Sequence, residues 1–128
     1  MLNPSTADEV KNDPTVERCE VRARTTGYGG LIVVNIFAWR STDPNALYKL
    51  DDPIGPENDD AIRWAALNSE MVVCGWGTHA GRLGARGREV KAILDKARPG
   101  CAHALQVNAD GSPKHPLYIA YSKLPRPF

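Results

Sequence analysis

The chain has 128 residues, 42% of them hydrophobic and 24% charged, which suits one globular domain with a real core and excludes a disordered or fibrous chain. No apolar run approaches the roughly 20 residues that a membrane-spanning helix needs, and the N-terminus lacks the basic-then-apolar pattern of a secretory signal, so a cytoplasmic location without membrane contact is expected. Cys19, Cys74 and Cys101 are odd in number and widely spaced, which argues against a disulfide framework and against a Cys-based metal site.

The net charge of +1 hides an asymmetry. Residues 1–76 carry 7 basic and 12 acidic side chains, a net of −5, whereas residues 77–128 carry 9 and 3, a net of +6. Arg82, Arg86 and Arg88 fall with Lys91, Lys96 and Arg98 in one expected helix, where the charges either attract phosphate or form an ordinary solvated face.

In chain order, Met1-Leu2 reads as the end of a strand that spills into the polar turn Asn3-Pro4-Ser5-Thr6. Pro4 pushes Asn3 toward extended backbone, so the amide of Asn3 is aimed in a defined direction; an ordinary surface turn is the alternative. Asp13-Pro14 then supplies a helix cap and a first-turn proline, with Glu17 in the first turn. Val16, Cys19 and Ala23 give that helix a narrow apolar stripe, and the glycines around Tyr28 end it.

Leu31 to Phe37 is a continuous β-branched run without alternation, the pattern of a strand covered on both faces in a parallel sheet. Asn35 interrupts it: a buried amide either bonds to nearby backbone or points into a pocket, because leaving it unpaired costs about 1–3 kcal/mol. A short helix after Asp43-Pro44, a proline-stiffened loop at Asp51 to Pro56 and a helix through Ile62 to Leu67 follow, the last capped by Glu57 or Asn58 with Asp59 and Asp60 at its positive dipole end. A metal at Asp51, Asp52, Asp59 and Asp60 is the weaker reading, and no metal is expected.

Met71 to Cys74 reads as a second buried strand, running into Gly75-Trp76-Gly77-Thr78 and a helix that reaches about Ala97, with residues 82–88 expected to be irregular because of Gly84 and Gly87. Strand, glycine turn and helix form an anion-binding arrangement. The glycine spacing fits a dinucleotide fingerprint poorly, so no cofactor is expected. Pro99-Gly100 stops the helix, Ala102 to Val107 is a third short strand, and His115-Pro116 places an oriented histidine beyond a strand end, where open α/β sheets hold ligands. The tail from Lys123 is expected to be extended and partly mobile.

The motifs Leu-Asn-Pro-Ser-Thr-Ala-Asp, Gly-Tyr-Gly-Gly-Leu, Asn-Ile-Phe-Ala-Trp-Arg, Asp-Pro-Ile-Gly-Pro-Glu-Asn-Asp, Gly-Trp-Gly and His-Pro-Leu-Tyr resemble those of a largely uncharacterised bacterial and phage domain family, over nearly the whole chain. Their order also resembles the uracil-DNA glycosylase superfamily. That resemblance implies a three-layer α/β sandwich with a short, mostly parallel sheet. It implies that Asn3 positions a water, that Asn35 pairs with the amide edge of a pyrimidine, that Tyr28 or Phe37 stacks on the base, and that His115 donates to the base O2 as negative charge develops. Gly75, Trp76 and Gly77 correspond to a strand end of the base pocket, and Ser5, Thr6, Thr78, Arg82, Arg86 and Arg88 are the candidates for phosphate.

The chain departs from that pattern in having no carboxylate at Asn3 and no Ser-Pro-Leu-Ser continuation after His115-Pro116. One domain over residues 1–128 is expected, its leading strand reduced to Met1 and Leu2, either as a trimmed fold or as a fragment of a longer domain. A sheet short of a central strand invites homo-oligomerisation. The expected function is glycosylase-like binding of a pyrimidine base or nucleotide, with cleavage of an N-glycosidic bond in DNA as its enzymatic form. The alternatives are a non-catalytic nucleic-acid or nucleotide-binding module, and a small-molecule hydrolase that pairs His79 or His115 with Asp51 or Asp59.

Overall fold

The computed structural model describes residues 1–4, 13–41 and 43–128. Among them the chain forms helix α1 (Pro14–Thr25), a 3-10 turn (Pro44–Lys49), helix α2 (Asn58–Leu67), strand β1 (Val72–Cys74), helix α3 (Gly81–Ala97), strand β2 (Ala102–Ala104), a second 3-10 turn (Pro116–Tyr118) and strand β3 (Arg126–Pro127). The architecture is mixed α/β with a small mixed sheet in the order β1-β2-β3. β1 and β2 are parallel, with Val73 opposite His103, and β3 is antiparallel to β2.

Local chemistry sets the helix ends. Asp13 accepts hydrogen bonds from the backbone N–H of Thr15 (2.8 Å) and Val16 (3.2 Å), the expected cap. Asp59 and Asp60 lie in the first turn of α2 as read, although Glu57, at the cap position, makes no side-chain capping bond. Residues 82–88 are regular helix. Gly84 and Gly87 are used for close packing, and a Cβ on Gly87 would lie 2.6 Å from Trp76 Nε1.

The core gathers Phe37, Leu47, Ile62, Leu83, Val90 and Leu94 around Cys74 and Trp76, so α2 and α3 pack together over β1. Burial drives the Cys74 thiol up to about 12, which keeps it a neutral core group. Among the described residues Arg86 is the only charged side chain buried in the core; its Nε donates to the Ile36 carbonyl (2.8 Å) and its terminal nitrogen to Asp59 (2.6 Å).

Three expectations are corrected. Leu31 to Phe37 forms no strand: Leu31, Ile32 and Val33 are 41%, 45% and 39% exposed, and of the run only Ile36 and Phe37 are buried. A β-branched run needs backbone partners on both edges to become a central strand, and among the described residues the backbone of Leu31 to Val33 makes no hydrogen bond. The sheet is mixed rather than mostly parallel because the tail, expected to be mobile, forms β3. Phe128 N–H donates to Ala102 (3.0 Å), and the Phe128 ring meets Trp76 edge-on at 5.9 Å. The apolar stripe of α1 is only half-buried, and the helix is held instead by Arg18 and Arg22, which both donate to the Ile119 carbonyl (2.6 and 2.5 Å) and lie over the Tyr121 ring.

Candidate functional site

Four turns at the ends of the extended segments are tied together in pairs. In the first pair, Asn3 Nδ2 donates to the carbonyls of Trp39 (3.0 Å), Ser41 (3.0 Å) and Pro4 (3.2 Å), and Ser41 N–H donates to the Pro4 carbonyl (2.9 Å). The proline-directed amide is aimed as the sequence predicts, but its nitrogen is spent on backbone and only Oδ1 remains to act on a ligand.

In the second pair, Gly77 N–H donates to the Pro113 carbonyl (2.9 Å), and Gly75 packs so closely on Pro116 that a Cβ would sit 2.9 Å from the proline ring. Gly77 has φ +84°, a conformation that favours glycine, and its missing side chain leaves room between His79 and His115. His79 Nε2 lies 2.9 Å from the Trp76 carbonyl; an oxygen that can only accept requires the hydrogen on Nε2. The backbone N–H of Leu117 donates to His115 Nδ1 (3.3 Å), which leaves the hydrogen of His115 on Nε2. Burial holds the His115 imidazole below its ordinary range, the nearby Met1 ammonium and His79 add to this, and Asp13 opposes it. His115 is therefore a neutral imidazole with Nε2–H available as a donor.

Behind these turns lies a cavity of about 570 Å³, walled on one side by Tyr28 to Ile36 and on the other by Met71 to Trp76. Asn35 lies in its wall. The Asn35 carbonyl accepts from Asn58 Nδ2 (2.8 Å), but its side-chain Oδ1 is buried with no donor among the described residues. Met1 and Leu2 enter between the walls: the Met1 nitrogen donates to the Val34 carbonyl (3.0 Å), and the N–H groups of Ile36 and Phe37 donate to the Met1 and Leu2 carbonyls (both 2.8 Å).

The residues singled out in the sequence therefore fall into two groups. Tyr28, Asn35, Gly75 and Trp76 line the cavity, whereas Asn3, Gly77 and His115 belong to the turns beyond it, with Gly75 and Pro116 at the junction. Phe37 is packed into the core, 1% exposed, and offers no ring face for stacking. Thr78 bonds to Ser112 Oγ (2.9 Å). Arg82 donates to the carbonyls of Leu47 and Leu50, and Arg86 is buried on Ile36 and Asp59, so of the three arginines only Arg88 stands on the surface without such ties to neighbouring elements. Ser5 and Thr6 lie outside the described residues.

The hydrolase alternative finds no support in the geometry: Asp59 is engaged by Arg86, and neither His79 nor His115 is ion-paired with Asp51 or Asp59. The four acids of the metal reading form no ligand group, and among the described residues no cluster of three or more His, Cys, Asp or Glu could hold a metal ion. Among the described residues, too, no helix is long and apolar enough to cross a membrane. Sequence reasoning missed Asn58, which it read only as a cap although it fixes the backbone of Asn35, and Arg22, whose place in the cavity wall an amphipathic stripe cannot reveal.

A family profile described as "Protein of unknown function (DUF1643)" matches residues 1–117, and the chain belongs to that family. No curated protein and no solved structure matches the chain.

Proposed function

We propose that the domain is glycosylase-like and binds a pyrimidine base or nucleotide where the cavity meets the turns, between Asn35, Gly75, Trp76 and His115. The observation that carries this reading is Asn35: its Oδ1 is buried without a donor among the described residues, while its backbone is fixed by Asn58. An acceptor left unpaired in this way costs about 1–3 kcal/mol, a cost that the N3–H of uracil or thymine, or the amino group of cytosine, would relieve. Of the two stacking candidates Phe37 is assigned to the core, and Tyr28 lies on the cavity wall beside Met71.

Titrating uracil, UMP and short pyrimidine oligonucleotides while following tryptophan fluorescence tests the reading. Binding should fall about tenfold or more in Asn35→Ala, in line with the cost of an unmet hydrogen bond. Equal affinity of wild type and Asn35→Ala for every one of these ligands would reject it.

The enzymatic form has its own support. His115 is neutral and carries its hydrogen on Nε2, the state in which it can stabilise charge developing on a departing pyrimidine O2, and Asn3 is oriented with Oδ1 left to hold a water. Tyr118, 81% exposed, is the candidate wedge for the stacked duplex, and Arg88 the candidate phosphate ligand. Modified-pyrimidine oligonucleotides should then yield abasic product, with loss of product in His115→Ala and Asn3→Ala. Binding that is steeply salt-dependent and never yields abasic product would make the domain a non-catalytic module instead.

A further inference from the structure

Helix α3, expected to hold phosphate, has two of its three candidate arginines taken up inside the fold, Arg82 by carbonyls and Arg86 by a carbonyl and Asp59. A second group of cations, at the junction of α1 with the tail, is arranged differently. Arg18 and Arg22, one helical turn apart, both direct a terminal nitrogen at the Ile119 carbonyl (2.6 and 2.5 Å), and their guanidiniums lie 4.2 and 5.1 Å from the centre of the Tyr121 ring. Arg22 also donates to the carbonyls of Ala120 (3.1 Å) and Lys123 (3.2 Å), which brings Lys123, an exposed third cation, to the same junction.

None of the three is ion-paired with a carboxylate among the described residues. The acids of α1 fall elsewhere: Glu17 and Glu20 line a separate recess with Asp13 and Val16. Burial, and then the like charge of Arg18, hold Arg22 below its ordinary value, yet an arginine stays charged. Donors are left over as well. Arg18 Nη1 makes no hydrogen bond among the described residues and is not buried, and Arg22 Nη1 has one hydrogen beyond the bond to Lys123. A single arginine would suffice to tie α1 to the Ile119 carbonyl. Two of them, with fork donors unused and no acid opposite, are half of an ion pair whose missing partner is an anion.

The junction adjoins the residues of the preceding reading. Ile119 closes the second 3-10 turn that His115 opens, and Tyr118 stands between them. At roughly 2 Å per residue the two ends of that turn are about 8 Å apart, which a nucleic-acid strand covers in two or three nucleotides at about 3.4 Å each.

We infer that Arg18, Arg22 and Lys123 form a phosphate site that takes the phosphodiester backbone of single-stranded DNA, about two or three nucleotides along from the base that faces His115. The inference rests on the preceding reading for the kind of strand, and adds to Arg88 the site that holds it. Nη1 of Arg18 and of Arg22 donate to the phosphate oxygens, Tyr121 keeps the two guanidiniums in place, and Lys123 supplies a mobile point charge. Arg18 lies outside the cavity walls, so the phosphate site and the base site are read by different variants.

The test uses the full chain and two fluorescein-labelled strands of equal length, one oligothymidylate and the other a deoxyribose phosphate chain without bases. Fluorescence anisotropy should show both strands binding, more weakly as salt rises from about 50 to 200 mM. Each lost contact should lower the slope of log K against log salt by about 0.7, so Arg18→Gln lowers it by that amount and Arg18→Gln with Lys123→Gln by about 1.4, on both strands alike. Arg18→Lys keeps the charge and should keep the slope, an outcome that a purely structural arginine does not predict. Arg22 is left in place because its carbonyl bonds fasten α1. If Arg18→Gln fails to fold by circular dichroism, Lys123→Gln alone reads the slope, since its side chain makes no bond among the described residues.

The inference is overturned if neither strand binds at low salt, or if the slope is the same in wild type and in a folded Arg18→Gln or, failing that, in Lys123→Gln. Binding of UMP that weakens in Arg18→Gln, with no binding of either strand, would put a free nucleotide in place of the strand and overturn it likewise. Asn35→Ala should weaken oligothymidylate and leave the base-free strand alone. If it leaves both alone while Arg18→Gln still lowers the slope, the base reading fails and the phosphate site stands.

Discussion

Arg86 supplies the most direct test of how the fold is held. It is 3% exposed, yet it carries a full charge inside a small core. Replacing it by Met keeps the volume and removes the donors, which leaves the Ile36 carbonyl buried without a partner, at about 1–3 kcal/mol, and forfeits the charge-assisted bond to Asp59. Asp59 is 44% exposed, so solvent screens its side of the pair and that part is worth no more than about 1 kcal/mol.

Arg86→Met should therefore cost about 1–4 kcal/mol, its upper end reaching the range for breaking a buried pair from its buried side, and lower the melting temperature by roughly 5–15 °C. Asp59→Asn should cost only about 1 kcal/mol. Urea unfolding of the wild type, the two single variants and the double variant measures all of these terms. If Arg86→Met stays within about 0.5 kcal/mol of wild type, or if Asp59→Asn is as damaging as Arg86→Met, the assignment of Arg86 to the Ile36 carbonyl is wrong. The same experiment separates a structural arginine from a phosphate ligand, since a phosphate ligand would lose nucleic-acid affinity and keep its stability.

Gly87→Ala gains helix propensity worth about 1 kcal/mol but drives a methyl into the Trp76 indole, which in a packed core costs about 1–3 kcal/mol; net destabilisation with a changed tryptophan emission is expected, and unchanged or increased stability would show that Trp76 can move aside. His115 and the Met1 ammonium are both held below their ordinary values of 6.5 and 8.0, mainly by burial. Each is a base that binds its proton less readily when folded, so the stability it contributes is present above its ordinary value and is lost as pH falls through the folded value. Urea midpoints should accordingly decline from pH 8 toward pH 5, and His115→Gln should flatten the part of that decline below pH 6.5; a His115→Gln profile that overlays the wild type would refute the burial argument.

Features that depend on a few neighbouring residues were legible in the sequence. Asp13-Pro14 caps α1 because a carboxylate two or three residues from free N–H groups needs no tertiary help, and Pro4 and Pro116 direct Asn3 and His115 by fixing the adjacent backbone. Within the apolar run at Met71 to Cys74 a strand forms as read, β1 leading through Gly75 to Gly77 toward α3, but it is not the buried strand expected: Val73 is exposed and only Cys74 is buried. That the chain belongs to an uncharacterised family, as the sequence suggested, agrees with the profile matching residues 1–117.

Only the tertiary structure decided what those residues face. Leu31 to Val33 has every local property of a central strand, but strand formation requires partners at a distance, and among the described residues its backbone has none. The basic helix looked like a phosphate face until Arg82 and Arg86 turned inward to carbonyls on other segments of the chain. The tail became β3 because β2 offered an unpaired edge and Trp76 a ring for Phe128. Of Asn3, Asn35 and His115, read as one constellation, only Asn35 lines the cavity, while the other two lie in the adjoining turns, because sequence order can place side chains at the ends of extended segments while only packing determines what each one reaches.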